Sequence, residues 1–167
     1  MLECQWDGLM ALAVWGHQAS PTHSPARRQL RRECTLHTHR NGAKYIGGVP
    51  FVNQGEDNTC GQAVTSMILQ YWGKDVSYQQ VVNESNPLNI GTPYLSMQNY
   101  LKEKGLQAQS YYQSSLDRII EEVDAGRPAI ALLEFDSLFF THYVLVVGYN
   151  PKRNTLIIHE SQSAPYV

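Results

Sequence analysis

A cysteine that follows a polar loop is the residue of this chain best suited to chemistry. Cys60 opens an apolar, helix-forming run that extends to Leu69, and Gln54 lies in the loop before it. A thiol in the first turn of a helix lies at the positive end of the helix dipole, which lowers its pKa and favours the nucleophilic thiolate. The Gln54 amide and the main-chain N–H of Cys60 could then donate hydrogen bonds to an oxyanion. Taken alone, a helical cysteine more often packs in the core.

A cysteine nucleophile also needs a base that takes its proton and a group that orients this base. His142 begins the most strand-like run of the chain, and Glu160 follows the next predicted strand. In an antiparallel hairpin the start of one strand lies beside the end of its partner, so His142 and Glu160 are expected to be neighbours. His159 and Asn154 are alternative orienting groups. Each side chain also has a purely structural interpretation, His142 as a hydrogen-bonded strand residue and Glu160 as a solvated carboxylate.

Hydrophobic periodicity and turn residues predict the elements that carry these side chains. Four helices are predicted: one that starts at Cys60 and stops at Gly73, one over residues 77–83, one that starts at Thr92–Pro93 with a hydroxyl cap, and one over residues 116–123 capped by Ser114 or Ser115. Strands are predicted over residues 107–112, 128–134, 141–149 and 155–159. Helices followed by an antiparallel sheet indicate an α+β fold.

Residues 1–42 differ in composition from residues 43–167, which are predicted to form the folded domain. The apolar run at 8–16 has the length of a signal-peptide h-region, but acidic residues precede it where a signal peptide carries Lys or Arg. Residues 20–40 are rich in Pro, Ser, His and Arg and are predicted to be a linker. The first 42 residues are therefore predicted to be a leader or a flexible segment. Secretion or a periplasmic location follows if residues 1–20 act as a signal, and a cytoplasmic location otherwise.

Composition excludes several classes of function. The net charge of −2 and the lack of a basic stripe in the domain argue against a nucleic-acid binder. No apolar run approaches the roughly 18 residues that a membrane span needs. Cys34, His37 and His39 carry zinc-ligand chemistry, but no second ligand cluster follows at zinc-finger spacing, so no metal site is predicted. Cys4, Cys34 and Cys60 are irregularly spaced, which favours a free thiol over a disulfide framework.

Five motifs occur along the chain in the order found in one known family. The chain resembles the papain-like cysteine peptidases of the bacteriocin-processing family, which remove double-glycine leader peptides, and it resembles their stand-alone members most. The resemblance covers residues from about 49 to about 161. It is carried by Val49-Pro-Phe-Val-Asn-Gln54, Cys60-Gly61 at a helix start, Gly91-Thr-Pro93, Gly126-Arg-Pro128, and the run from His142 to Gly148-Tyr149.

This resemblance implies a papain-like α+β fold in which N-terminal helices pack on a C-terminal antiparallel sheet. It implies Cys60 as the nucleophile, His142 as general base and then general acid, and Gln54 as an oxyanion donor. A peptide or protein substrate follows from it, without a metal or an organic cofactor. The family usually has aspartate and proline after the last strand, where this chain has Glu160 and a serine. Transporter-linked relatives favour aspartate where this chain has Thr59.

The same residues leave several functions open. The expected activity is cleavage of a peptide bond after a small-residue leader, with Gly61, Trp72 and Tyr143 near the substrate. One alternative is a catalytically inactive papain-like domain that binds peptides. Another is an acyl transferase on the same fold, and a third is a structural domain in which Cys60 is only a buried core residue.

Overall fold

The structure, a computed structural model, describes residues 10–16, 36–85, 92–134 and 141–167. These residues form seven strands and four helices, in the order β1 (Met10–Gly16), β2 (Leu36–Thr38), β3 (Lys44–Ile46), α1 (Cys60–Tyr71), α2 (Tyr78–Ser85), α3 (Tyr94–Glu103), β4 (Leu106–Tyr111), α4 (Leu116–Asp124), β5 (Ala129–Glu134), β6 (Thr141–Asn150) and β7 (Thr155–His159). The four predicted helices and the four predicted strands are confirmed, and their ends differ from the prediction by no more than two residues.

The strands form one antiparallel sheet in the order β2-β3-β6-β5-β1-β4, and β7 also pairs with β6. β6 is the longest strand and pairs with three others. Its last residues pair with both β3 and β7, so these two strands must lie on opposite edges of β6. β5 pairs with the first half of β6, which leaves the start of β6 and the end of β7 at one end of the curled sheet. The α+β papain-like fold is confirmed.

β6 is irregular where it pairs with both β3 and β7. The pairing of β6 with β7 shifts register between Val146 and Gly148. A side chain at Gly148 would collide with the carbonyl oxygen of Lys44 on β3, which lies 2.5 Å from the ideal Cβ position. Glycine therefore permits the close approach of β3 to β6.

Helix α1 is the centre of the core. Eleven of its twelve residues are buried, as expected for a helix enclosed by the rest of the fold. Met67, Ile68 and Leu69 are fully buried, and each such side chain contributes roughly 1.5–3 kcal/mol to stability. The first residue of this rigid element is Cys60.

The predicted hydroxyl cap of α3 is wrong, whereas one of the two caps predicted for α4 is confirmed. The N-cap of α3 is Pro93, and no side chain caps this helix. Thr92 instead lies over Gly61, where an added Cβ would come within 2.7 Å of the Thr92 Cβ atom. Thr92 therefore packs against the first turn of α1. Ser115 accepts a hydrogen bond from the main-chain N–H of Arg118, which makes it the cap of α4.

The described part of residues 1–42 contributes two strands to the sheet. Met10–Gly16, taken from sequence as part of a leader, is an interior strand that pairs with β4 and β5. A short apolar run fits a buried strand as well as an h-region, and periodicity alone does not separate the two. Leu36–Thr38, in the predicted linker, pairs with β3. The division of the chain at residue 43 stays a prediction, and most of the proposed signal and linker, with Cys4 and Cys34, lies outside the described residues.

Candidate active site

Cys60 lies at the N-terminus of α1, where the helix dipole favours a negative charge. Its side chain is 8% exposed. The preceding residue, Thr59, does not cap the helix with its side chain. The Thr59 hydroxyl is 2.6 Å from the Tyr78 hydroxyl on α2. This hydrogen bond fixes the chain just before the thiol.

His142 and Glu160 come together at one end of the β6–β7 hairpin. The His142 Nε2 atom lies 2.7 Å from the Glu160 Oε1 atom. Both side chains are mostly buried, with 16% of His142 and 20% of Glu160 exposed. Because Nε2 faces the carboxylate, Nδ1 is the ring nitrogen left for a partner on the other side. The longer glutamate side chain therefore reaches the imidazole.

Cys60 and His142 stabilise each other's charged forms. Burial raises the pKa of the Cys60 thiol. Four effects lower it, namely the hydrogen bond to His142, the main chain of Tyr143, the charge of His142 and the main chain of Gly61. Together they outweigh burial, so that the net shift of the pKa is downward. The pKa of His142 is raised, first by its hydrogen bond to Cys60 and then by Glu160, against the opposing effect of burial. The pair therefore favours a thiolate beside an imidazolium.

Glu160 is held in its ionised form. Burial alone would raise its pKa, but hydrogen bonds from Ser163, the main-chain N–H of Gln162 and His142 bring the pKa below its usual value. Glu160 Oε1 accepts from the Gln162 N–H at 3.1 Å as well as facing His142. A carboxylate fixed in this way can orient an imidazole.

The two alternative orienting residues lie elsewhere. Asn154, with φ 52°, belongs to the turn between β6 and β7 at the far end of the hairpin from His142. His159 is fully buried and packs edge-on against Phe51 and Tyr166, at centroid distances of 5.8 and 4.6 Å. Burial lowers the pKa of His159 to about 4.

Gln54 is buried in the loop before α1, with 4% of its surface exposed. Its Nε2 donates to the carbonyl oxygen of Asp57 at 2.7 Å. Its Oε1 accepts from the hydroxyl of Ser161 at 2.5 Å. The Tyr78 hydroxyl donates to the main-chain carbonyl oxygen of Gln54 at 3.4 Å. Since the same hydroxyl contacts Thr59, Tyr78 contacts residues at both ends of this loop.

The three predicted substrate contacts differ in where they lie. The main chains of Gly61 and Tyr143 both lower the pKa of Cys60. Tyr143 is half-buried, and its pKa is raised to about 12 by burial first, then by the charges of Cys60 and Tyr94. Trp72 follows the last residue of α1 and packs edge-on against Tyr71. At 1.5 Å of rise per residue it lies about 18 Å along the helix from Cys60, so the structure does not bring it to the thiol.

Ser161 and Tyr78 contact the site but did not stand out in the sequence. A serine directly after the candidate orienting residue is a signal that could have pointed to Ser161. Tyr78 carries no such signal, because its contacts depend on how α2 packs against α1.

Among the described residues, no group of three or more His, Cys, Asp or Glu side chains could hold a metal ion. Cys34, the cysteine of the rejected zinc pattern, lies outside those residues. None of the described helices is long and apolar enough to cross a bilayer.

Comparison with known proteins places the chain in a family. The model of the family described as Peptidase_C39 like matches residues 46–165, which is more than half of the chain. Neither the curated proteins nor the solved structures gave a match. The matched range includes Gln54, Cys60, His142 and Glu160 within one papain-like fold. The chain therefore belongs to the Peptidase_C39-like family of papain-like cysteine peptidases.

Proposed function

We propose that the protein is a cysteine peptidase that cleaves a peptide bond after a small-residue, double-glycine-like leader through an acyl-enzyme on Cys60. Membership of a peptidase family supports the reaction class. The observation that carries the proposal is that Glu160 lies 2.7 Å from His142 and that His142 and Cys60 shift each other's pKa toward the charged forms. A nucleophile, a base and an orienting carboxylate in this arrangement are what acyl transfer requires.

Acylation starts from the thiolate and the imidazolium. The Cys60 sulfur attacks the peptide carbonyl carbon, and the carbonyl electron pair moves onto oxygen. The Cys60 main-chain N–H and the Gln54 Nε2 group donate to this oxyanion. When the C–N bond breaks, the leaving nitrogen takes the proton from His142 Nδ1. The products of this step are a thioester, a free amine and a neutral imidazole.

Deacylation reverses the proton transfer. His142 Nδ1 takes a proton from water, and the hydroxide attacks the thioester carbon. The C–S bond breaks, which releases the carboxylic acid and restores the thiolate beside the imidazolium. Glu160 stays ionised throughout, because its hydrogen bonds hold its pKa low.

The surroundings of Cys60 support a preference for small residues before the cleaved bond. Tyr143 lies next to His142 on β6, and Tyr94 at the start of α3 is close enough to affect its charge. Thr92 covers the first turn of α1 at Gly61. We expect the side chains on these sides to limit the room for a large substrate side chain, whereas glycine needs none.

Hydrolysis of matched fluorogenic peptides tests the proposal. A peptide with Gly-Gly before the cleaved bond should be hydrolysed at least about tenfold faster than one with Phe-Phe, a discrimination within reach of one pocket. Cys60→Ala should be folded and inactive. A folded Cys60→Ala variant that still cleaves the peptide would disprove the acyl-enzyme. Release of amine with transfer of the acyl group to added glycinamide, without free acid, would instead identify an acyl transferase.

Alkylation by iodoacetamide at about pH 6 tests the activated thiol without a substrate. An ordinary free thiol is only about 0.3% ionised at that pH, so Cys60 should react more than tenfold faster than glutathione. Peptide mapping assigns the reaction to Cys60 rather than to Cys4 or Cys34. A rate equal to that of glutathione would favour a peptide-binding or structural domain.

A further inference from the structure

Ser161, the residue after Glu160, joins the chain beyond β7 to the loop before α1. It is fully buried. Its hydroxyl lies 2.5 Å from Gln54 Oε1, and its carbonyl oxygen accepts the Gln54 main-chain N–H at 2.9 Å. These two bonds connect residues that are 107 positions apart in sequence.

The contacts of Gln54 fix which way its side-chain amide faces. The carbonyl oxygen of Asp57 can only accept, so the Gln54 atom that lies 2.7 Å from it must be Nε2. Oε1 therefore faces Ser161, and the Ser161 hydroxyl is the donor in that bond. Nε2 carries two hydrogens, and the contact with Asp57 uses one of them. The second hydrogen is left for another acceptor.

We propose that Ser161 is a positioning residue whose hydroxyl locks the Gln54 amide in the orientation that donates to the oxyanion at Cys60. The inference rests on the proposed function and adds a residue to its site. Without the Ser161 hydroxyl, Oε1 loses its donor, and only the contact of Nε2 with Asp57 then holds the amide. An amide that rotates about this single contact would no longer direct its second N–H group toward the oxyanion.

The same dipeptide would then orient two groups. Glu160 faces the Nε2 atom of His142 at 2.7 Å, and Ser161 donates to Gln54. The general base and the oxyanion donor would thus be aligned by adjacent residues of one short segment. Burial of Ser161 excludes water from this link, so no solvent molecule can replace the hydroxyl without rearrangement.

Three variants and one matched control test the role of Ser161. The variants are Ser161→Ala, Gln54→Ala and the double variant. The control is Ser66→Ala, because Ser66 is also fully buried and its hydroxyl accepts from a glutamine side chain, that of Gln70 at 3.0 Å, inside α1. Both serine variants therefore remove one serine–glutamine hydrogen bond. The measurements are kcat and KM for the Gly-Gly peptide and alkylation by iodoacetamide at about pH 6.

Ser161→Ala should lower kcat roughly tenfold, which is the effect of one buried hydrogen bond, and leave KM nearly unchanged. Gln54→Ala should lower kcat by about 10²- to 10³-fold, as the loss of an oxyanion donor does. In the Gln54→Ala background, Ser161→Ala should have no further effect on kcat. Alkylation forms no oxyanion, so its rate should be equal in wild type and Ser161→Ala. Ser66→Ala should keep the wild-type kcat.

Equal losses of kcat from Ser161→Ala with and without Gln54 would overturn the inference, and so would a parallel fall in the alkylation rate. The side-chain amide signals of ¹⁵N-labelled Gln54 provide a test that needs no substrate. They should move in Ser161→Ala and stay in place in Ser66→Ala. Unchanged Gln54 signals in Ser161→Ala would overturn the inference whatever the activity. A wild-type protein that cleaves no peptide, with Gln54 signals that do move, would contradict the proposed function and leave the contact between Ser161 and the amide standing.

Discussion

Two histidines on the β6–β7 hairpin occupy opposite kinds of environment. His142 lies at the open end of the hairpin between Cys60 and Glu160, and its pKa is raised. His159 lies within the core between Phe51 and Tyr166, and its pKa is lowered to about 4. The exposed fraction of the side chain is 16% for His142, while His159 is fully buried. Burial favours the neutral ring in both places.

The difference between the two sites is therefore the presence of partners. His142 has an acidic group on each side, and together they outweigh its partial desolvation. Neither ring nitrogen of His159 makes a hydrogen bond to any described residue. The main chain of Pro50 favours the protonated ring, but its effect is smaller than that of burial. One hairpin thus carries a histidine whose pKa is raised by its partners and a histidine whose pKa is lowered by burial.

Removal of Glu160 should have the largest effect of the changes considered for the two histidines, because it removes a partner that raises the pKa of His142. Glu160→Gln keeps an acceptor and removes the charge, so the pKa of His142 should fall. The alkaline limb of kcat/KM, where the imidazolium is lost, should move to lower pH. Glu160→Ala also removes the hydrogen bond that orients the ring, and kcat/KM should fall by about 10²-fold or more. The measurement is kcat/KM for the Gly-Gly peptide from about pH 5 to about pH 10.

Glu103→Gln is a matched control, because it neutralises an exposed carboxylate at the end of α3. Its pH profile should coincide with that of the wild type. If Glu160→Gln gave the same alkaline limb as Glu103→Gln, then Glu160 would not set the charge of His142.

Replacement of His159 should change the pH dependence of stability. Its pKa in the folded protein, about 4, lies below the ordinary 6.5, so the unfolded chain binds more protons between these values. Stability should therefore fall as pH drops from about 6.5 to about 4, by about 3 kcal/mol from this group. His159→Phe keeps an aromatic ring between Phe51 and Tyr166 and should remove this contribution. Urea unfolding at several pH values measures it.

His37→Phe is the control for this experiment, because His37 is exposed on β2. Its unfolding is measured at the same pH values, so that the loss of any one histidine is distinguished from the loss of His159. His159→Phe should also keep activity at neutral pH, since the ring does not contact Cys60 or His142 through any described bond. If the free energy of unfolding of His159→Phe depended on pH as it does in the wild type, His159 would not be the group whose protonation destabilises the protein in acid.

Local sequence patterns were enough to predict the helices and strands and the order of Cys60, His142 and Glu160 in the candidate site. The polar loop before an apolar run predicted a helix that starts at Cys60, and antiparallel pairing predicted that His142 and Glu160 would be neighbours. Each of these two predictions involves a single element or two consecutive strands, so hydrophobic periodicity and turn residues are sufficient to make it. The sequence could also have shown that Trp72 lies far from Cys60, because the two residues are at opposite ends of the same predicted helix.

Contacts between distant segments could not be predicted. Ser161 meets Gln54 across 107 positions, and neither side chain has a local pattern that names the other. The strand Met10–Gly16 was interpreted as part of a leader, because a seven-residue apolar run has the same composition in either role. Thr92 was expected to cap α3, but its packing over Gly61 takes precedence over the capping preference.

The smallest expected effect comes from opening one side of the His159 environment. Tyr166 packs edge-on against His159 at 4.6 Å and against Tyr45 at 5.6 Å, and its hydroxyl donates to the Ile46 carbonyl oxygen at 3.2 Å. Tyr166→Ala should lower the free energy of unfolding at neutral pH by about 1–2 kcal/mol. Because water then reaches the His159 ring, its pKa should rise toward 6.5, and the loss of stability in acid should become smaller.

Tyr112→Ala separates this effect from the loss of any surface tyrosine, because Tyr112 is 76% exposed. It should change neither the stability at neutral pH nor the slope in acid. A Tyr166→Ala protein that is destabilised but keeps the full wild-type slope would show that water does not reach His159 from this side. Since His159 directly precedes Glu160, a lower kcat/KM in Tyr166→Ala would further indicate that His159 supports the alignment of Glu160 with His142.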